Sequence, residues 1–341
     1  MKRFRTGVIA GKFYPPHMGH QYLIESALAQ CEELYVLACF NPSQTIPIAR
    51  RVEWLREMCP AARVLSVLDV PADDDSAGWA AYTRQILGFA PEAVFSSETY
   101  GDAYARFLGA THVSIDPQRG RVPCSATMIR NDPLSHLEFL APCVRAWFVR
   151  RVCLVGAEST GKTTLATALA EHYGTVWMPE YGREYCDVKA VTGNIEHWES
   201  AEFEHIAREH ARREDLLARE ANKLLIVDTD AFATAIWHRR YMNDVRSPAV
   251  ERLAAERQGL YQLYLLCDTD IPWVQDGTRD GRHVRQAMQD TFVAELKATG
   301  RPWLRLTGLP GDRLRQSVAA IDACLQARPE LPARVMGQGQ E

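Results

Sequence analysis

Two regions of the chain carry residue types at spacings suited to phosphate. The first is Gly11-Lys12-Phe13-Tyr14-Pro15-Pro16-His17-Met18-Gly19-His20, which follows the short apolar run Gly7–Ala10. Gly11 allows a sharp turn. The helical periodicity from Met18 onward puts His17 and His20 at a helix N-terminus, where free amides and the helix dipole favour an anion. Two imidazoles at i and i+3 could both donate N–H groups to one phosphate chain, and Gly19 between them leaves room for a close ligand. Farther along, Ser125-Ala126-Thr127-Met128-Ile129-Arg130 starts with a good N-cap. The Ser125 hydroxyl and the amides after it can bind phosphate, and Arg130 can neutralise outer phosphate oxygens.

The second region is Gly156-Ala157-Glu158-Ser159-Thr160-Gly161-Lys162-Thr163, a complete G-x-x-x-x-G-K-[ST] between the apolar run Val152–Val155 and a helical segment. Here backbone amides from Gly156 through Ser159, Thr160, Gly161 and on to Thr164 are expected to cradle ATP phosphates. Lys162 would reach the β and γ oxygens, and Thr163 would ligate Mg2+. Leu224–Asp228 is an apolar strand ending in acid, so Asp228 is the expected second contributor to the magnesium shell. Glu180 could accept a proton from a substrate hydroxyl; Asp228 and Asp230 remain open as alternatives. The glycine-punctuated Gly277–Arg285 carries Arg279, Arg282 and Arg285, resembles the mobile lid of nucleoside and nucleotide kinases, and could clamp a transferring phosphoryl group. Trp198, Trp237, Tyr181 and Tyr185 could stack on a substrate ring.

Each region needs a buried strand that delivers the chain to a glycine turn and a helix that starts there. That unit opens an open α/β domain. It occurs twice, which predicts a boundary near residue 150: one domain over 1–148, a second over 149–328, and a frayed tail over 329–341. In the first half, helix is expected over Met18–Cys31, Arg50–Met58, Gly78–Phe89 and Asp102–Leu108. Strand is expected over Leu34–Phe40, Val64–Val70, Ala93–Ser97 and His112–Ile115, with a helical connector over Pro133–Phe148. In the second half, strands are expected over Val152–Val155, Val176–Met178, Leu224–Asp228, Leu263–Cys267 and Trp303–Leu306, with a long charged helix over about 196–222. Such alternation predicts two parallel sheets covered on both faces.

Composition agrees with two folded domains. The chain has 341 residues, 47% of them hydrophobic and 24% charged, which excludes a disordered or collagen-like chain. A formal net charge of −4 gives no basic surplus for nucleic acid. Nine cysteines with no C-x-x-C pair make a poor disulfide framework and a poor zinc site, and suit free thiols in a reducing cytoplasm. No apolar run long enough for a membrane span occurs.

The G-x-F-x-P-x-H-x-G-H pattern and the later S-x-T-x-I-R element resemble the signatures of the nucleotidyltransferase superfamily, α/β enzymes that join a phosphate or phosphomonoester to a nucleotide α-phosphate. Such a domain followed by a P-loop kinase domain resembles the bifunctional NadR-type family. The resemblance covers about residues 5–325 and extends to Ser96-Ser97-Glu98-Thr99-Tyr100-Gly101 and Pro179–Tyr185. It implies ribosylnicotinamide kinase activity in the second domain and nicotinamide-nucleotide (NMN) adenylyltransferase activity in the first. ATP, nicotinamide riboside, NMN and NAD would be the ligands and Mg2+ the cofactor. In the first domain it implies ATP contacts from Gly11, Phe13, His17, Gly19, His20, Ser125, Thr127 and Arg130, with His17, His20 and Arg130 catalytic. In the second it implies catalytic roles for Lys162, Glu180, Asp228, Arg279 and Arg282. Some members carry an N-terminal helix-turn-helix repressor module; with a strand beginning near Phe4, no DNA-binding role is expected. No membrane partner is expected, and a homo-oligomer stays open. Two other readings remain: a phosphopantetheine adenylyltransferase/dephospho-coenzyme A kinase, and a nucleotide sensor without turnover.

Overall fold

The computed structural model describes residues 2–72, 74–191, 193, 197–275 and 281–327. The chain divides into two compact units, Met1–Trp147 and Phe148–Glu341. Arg279 and the expected tail lie outside the described residues.

The first unit contains β1 (Phe4–Gly11), β2 (Cys31–Phe40), β3 (Arg63–Leu68), β4 (Ala93–Ser96) and β5 (Thr111–Ser114). They form one parallel sheet in the order β3-β2-β1-β4-β5. Neighbouring strand residues point to opposite faces, and both faces are packed. Ile9, Val36 and Phe95 sit in one core layer with Leu23 and Ile24. Val8, Leu37 and Val94 sit in the other with Tyr104 and Leu108. That two-sided burial is why β1 and β2 read as continuous apolar runs. Strand order reverses beside β1, so a crevice opens beyond the C-terminal ends of β1 and β4, the position where open α/β sheets bind ligands.

The second unit contains β6 (Arg150–Val155), β7 (Trp177–Met178), β8 (Leu224–Asp228), β9 (Tyr261–Cys267) and β10 (Trp303–Leu306). They make a second parallel sheet in the order β10-β9-β6-β8-β7. Val152 and Leu154 of β6 pack on Leu165, Ala166 and Leu169 of the helix Lys162–Tyr173. Register pairs Leu154 with Asp228, which brings the acid at the end of β8 alongside the turn that follows β6.

Element boundaries differ from expectation for local reasons. The first helix stops at Leu28 because Cys31 already pairs with Phe4 in the sheet. The connector is not one helix: two 3-10 turns, Pro133–Ser135 and Leu137–Phe139, precede the helix Pro142–Phe148. Proline at the start of a helical turn is favourable but interrupts one already running. The charged helix is confined to Ser200–Leu217. No helix among the described residues is long and apolar enough to cross a membrane.

Candidate active sites

In the first unit, the chain after β1 passes through Phe13, buried with φ of 43°, to His17, the N-cap of the helix Met18–Leu28. The two histidines form a reciprocal cap. Gly19 N–H donates to His17 Nδ1 at 3.1 Å, and His17 N–H donates to His20 Nδ1 at 3.2 Å. The Cys124 thiol lies 3.2 Å from His17 Nδ1. With each Nδ1 accepting, the proton of each neutral ring belongs on Nε2. Burial, assisted by nearby Arg119, lowers His17 to about 4. Burial, then His17 and Arg119, hold His20 well below the ordinary imidazole range. The rings stack with centroids 3.7 Å apart, and both remain neutral N–H donors at pH 7.

A buried arginine that sequence reasoning missed sets this loop. Arg51 is 1% exposed and donates to the carbonyls of Lys12 and Cys39 and to Gln44 Oε1 at 2.7 Å. Arg130 donates to the Tyr14 carbonyl and to Thr127 Oγ1 at 3.0 Å. Both guanidiniums lie over the Tyr14 ring, that of Arg51 at 5.4 Å and that of Arg130 at 5.0 Å from its centroid. Ser125 accepts from Met128 N–H at 3.1 Å, as an N-cap should. Gly101 permits a close approach: an added Cβ would fall 2.2 Å from both Ser96 Oγ and His112 Nε2. That leaves room for a Ser96–His112–Asp102 chain, with contacts of 2.9 and 2.6 Å, which fixes the turn carrying Ser97 and Glu98.

Two clefts meet at the histidines. One, of about 420 Å³, is lined by Gly11, Lys12, Phe13, Asp69, Trp79 and Tyr100 among others. The second, of about 200 Å³, is lined by His17, Gly19, Arg119, Ser125 and Thr127 among others. His20, Ser97 and Glu98 border both. The arrangement suits two substrates that meet through their phosphates.

In the second unit, the turn 156–161 wraps the start of the helix Lys162–Tyr173, with Gly161 at φ of 78°. An added Cβ on Gly156, whose φ is 131°, would lie 2.7 Å from the Cys267 carbonyl. Lys162 Nζ donates to the carbonyls of Gly156 and Ala157 at 3.1 and 3.0 Å. Thr163 Oγ1 donates to Asp228 Oδ2 at 2.6 Å. Asp228 is fully buried, and its Oδ1 has no hydrogen-bond partner among the described residues. Burial, then the neighbouring Glu180, raises its pKa to about 6. An enclosed carboxylate oxygen without a partner, beside a hydroxyl, fits a hard cation that takes oxygen ligands.

Three side chains from distant sequence brace the turn from behind. Arg285 donates to the carbonyls of Glu158, Ile271 and Ser159, and Arg313 donates to those of Gly308, Thr160 and Asp268. Gln289 Oε1 accepts from Ala157 N–H at 3.0 Å. Arg285 thus holds carbonyls of the turn in this structure, as Lys162 does. Arg282 lies exposed on a 3-10 turn, Arg282–Val284.

The pocket over this turn is lined by Ser159 through Thr164, Glu180, Arg183 and His210 at one end, and by Trp198, Phe203, Trp237 and Tyr241 at the other. Two expected stacking residues are not in its wall. Tyr181 packs under Arg213 at 4.3 Å, and the Tyr185 hydroxyl donates to Glu202 at 3.0 Å. Phe203 and Tyr241 take their place. Asp230 is removed from the candidate bases, because Oδ1 caps Ala233 N–H at 3.0 Å and Oδ2 accepts from the Tyr264 hydroxyl at 2.9 Å.

The depressed His17 value makes a stability prediction. Between pH 6.5 and about 4 the unfolded chain binds a proton at His17 that the native state refuses. Its contribution is therefore full above pH 6.5 and is lost as pH falls toward 4. Relative to His17→Asn, the wild type should lose about 3 kcal/mol across that window. Urea unfolding of both proteins at several pH values measures this, and parallel pH profiles would contradict it.

Comparison with known proteins places the chain. An AAA domain family matches residues 151–313. The Trifunctional NAD biosynthesis/regulator protein NadR of Salmonella typhimurium strain LT2 is 31% identical over 316 residues, 85% of this chain and 76% of that protein. The protein of the same name from Escherichia coli strain K12 is 30% identical over 325 residues, 88% of this chain and 78% of its own. Two crystal structures share the fold. A NadR protein in complex with NAD and AMP-PNP matches with a TM-score of 0.70 at 20% identity, over 99% of each chain. A NadR protein in complex with NR matches with a TM-score of 0.71 at 21% identity, over 96% of this chain and 98% of the other. With two relatives at this identity aligned over most of both chains, the chain belongs to the NadR family.

Proposed function

We propose that the second unit phosphorylates nicotinamide riboside with ATP and that the first unit transfers an adenylyl group from ATP to the resulting NMN, giving NAD and pyrophosphate. The observation that carries this reading is the presence, in one chain of the NadR family, of two separate phosphate sites, each at the end of its own sheet. The ligands in the two similar crystal structures, NAD with AMP-PNP and NR, are the chemistry this reading requires.

In the kinase reaction, the riboside 5′-hydroxyl oxygen attacks the γ-phosphorus while the bond to the β-phosphate oxygen breaks. Glu180 lines the pocket beside the P-loop and takes the hydroxyl proton. Lys162 leaves the Gly156 and Ala157 carbonyls for the β and γ oxygens. The pyridinium ring is a cation, and Trp198, Trp237 and Tyr241 offer it aromatic faces. Thr163 and Asp228 would hold Mg2+, which when bound neutralises phosphate charge. Arg279 and Arg282 remain the proposed closing arginines.

In the adenylyl transfer, NMN supplies its own phosphate as nucleophile. An oxygen of that phosphate bonds to the α-phosphorus of ATP, and the α–β bridge breaks to release pyrophosphate. The Nε2–H donors of His17 and His20 stabilise charge on the transferring group, and Ser125, Thr127 and Arg130 hold the leaving phosphates. The protein is expected in the cytoplasm, in keeping with its nine free thiols.

Incubation with ATP–Mg2+ tests the reading against four acceptors: nicotinamide riboside, NMN, phosphopantetheine and dephospho-coenzyme A. Riboside and NMN should both yield NAD with no other enzyme present. Turnover of the coenzyme A precursors and of neither nicotinamide compound would overturn it.

A further inference from the structure

Asp69 follows directly on β3, and its N–H donates to the Phe40 carbonyl at 2.9 Å, which fixes it beyond the ends of β2 and β3. Its side chain is 11% exposed and lines the larger cleft of the first unit. Oδ1 is enclosed and has no hydrogen-bond partner among the described residues. Oδ2 faces Lys12 Nζ at 3.5 Å, an ion-pair distance longer than a good hydrogen bond. A buried carboxylate ordinarily has its oxygens filled, so this one retains capacity for a donor that the described residues do not supply.

The rest of the cleft wall sharpens the point. The Trp79 indole N–H is spent on the Ala72 carbonyl at 3.1 Å, which fixes the ring. The Tyr100 hydroxyl donates to the Ala10 carbonyl at 2.7 Å, and the Tyr104 hydroxyl is paired with Thr83 Oγ1 at 2.7 Å. Glu98 is held by Arg119 at 2.9 Å. Aromatic walls with occupied polar tips, and an enclosed carboxylate oxygen of Asp69 with spare acceptor capacity, suit a flat cation that carries an N–H donor. Lys12 stands one residue after Gly11 in the phosphate turn, so an incoming phosphomonoester competes with Asp69 for its ammonium.

We propose that Asp69 is a specificity-determining residue of adenylyl transfer: it accepts a hydrogen bond from the ring carboxamide of the mononucleotide and excludes the analogue bearing a carboxylate there. The proposal rests on the reading of this cleft as the mononucleotide site. A carboxylate on the ring would face a like charge and offer no proton, whereas a carboxamide offers two N–H groups.

The test compares kcat/KM for NMN and for nicotinic acid mononucleotide in the wild type and in Asp69→Asn. The wild type should favour the carboxamide by about 10²-fold or more, because a site built to bond an N–H strongly rejects its lack. Asn presents both an acceptor and a donor, so the ratio should fall by at least about tenfold, chiefly through faster turnover of the acid form. A damaged fold cannot produce that gain. A wild type indifferent to the substituent, or a ratio unchanged in Asp69→Asn, would overturn the assignment; Asp69→Ser, read by the same ratio, decides if the Asn variant does not fold. A wild type that turns over neither mononucleotide, yet phosphorylates the riboside, would overturn the reading of the cleft and the role of Asp69 with it.

Discussion

Lys162→Ala should nearly abolish phosphorylation of nicotinamide riboside, by about 10³-fold or more in kcat, and leave adenylylation of NMN at the wild-type rate. The ammonium is the cation of the turn 156–163 and is the charge available to the β and γ oxygens as they separate. Removing a preorganised donor from a developing phosphate charge typically costs about 10²–10³ in rate, and here a full positive charge goes with it. The fold should tolerate the change. Lys162 holds only the Gly156 and Ala157 carbonyls, while the turn is pinned independently by Arg285, Arg313 and Gln289. Coupled assay of ADP release with riboside as acceptor reads the loss. A kinase rate within a few-fold of wild type would remove Lys162 from the chemistry.

His20→Ala should lower adenylyl transfer by about 10²–10³-fold and leave riboside phosphorylation unchanged. His20 borders both clefts of the first unit, and its Nε2–H is the neutral donor that the capping arrangement frees. The same substitution removes the acceptor of the His17 N–H, so a stability loss of about 1 kcal/mol should accompany it. Pyrophosphate release with NMN and ATP measures the rate, and circular dichroism confirms that the variant is folded. Retention of adenylyl transfer would reduce the histidine pair to a helix cap.

How far the sequence could be read differs between the motifs and their supports. The strands β1 and β6, each an apolar run delivered to a glycine, are local signals, as are the histidine pair and the P-loop. Their positions follow from contiguous residues. The alternation of strands and helices likewise implied parallel sheets, because a strand covered on both faces has no polar side to show. The braces were not legible. Arg51, Arg313 and Gln289 reach backbone carbonyls or amides of loops tens to more than a hundred residues away, and nothing near them in sequence marks the meeting. A buried arginine in an amphipathic helix reads like a surface one until the fold is known. Arg285 shows the same limit: nothing in its arginine-rich, glycine-punctuated segment marks that this side chain reaches the carbonyls of Glu158 and Ser159. The aromatic end of the kinase pocket was half legible. Trp198 and Trp237 line it, but Tyr181 and Tyr185 leave it to Phe203 and Tyr241, because helix phase alone does not say which neighbour a ring will meet.

Two complete sites should act independently on successive reactions. The most direct measurement takes both half-reactions, riboside phosphorylation and NMN adenylylation, separately in folded Lys162→Ala and His20→Ala. A crossed result is expected, with each variant losing one reaction and keeping the other near the wild-type rate. Loss of both reactions in either variant would contradict it and point to a single shared nucleotide site.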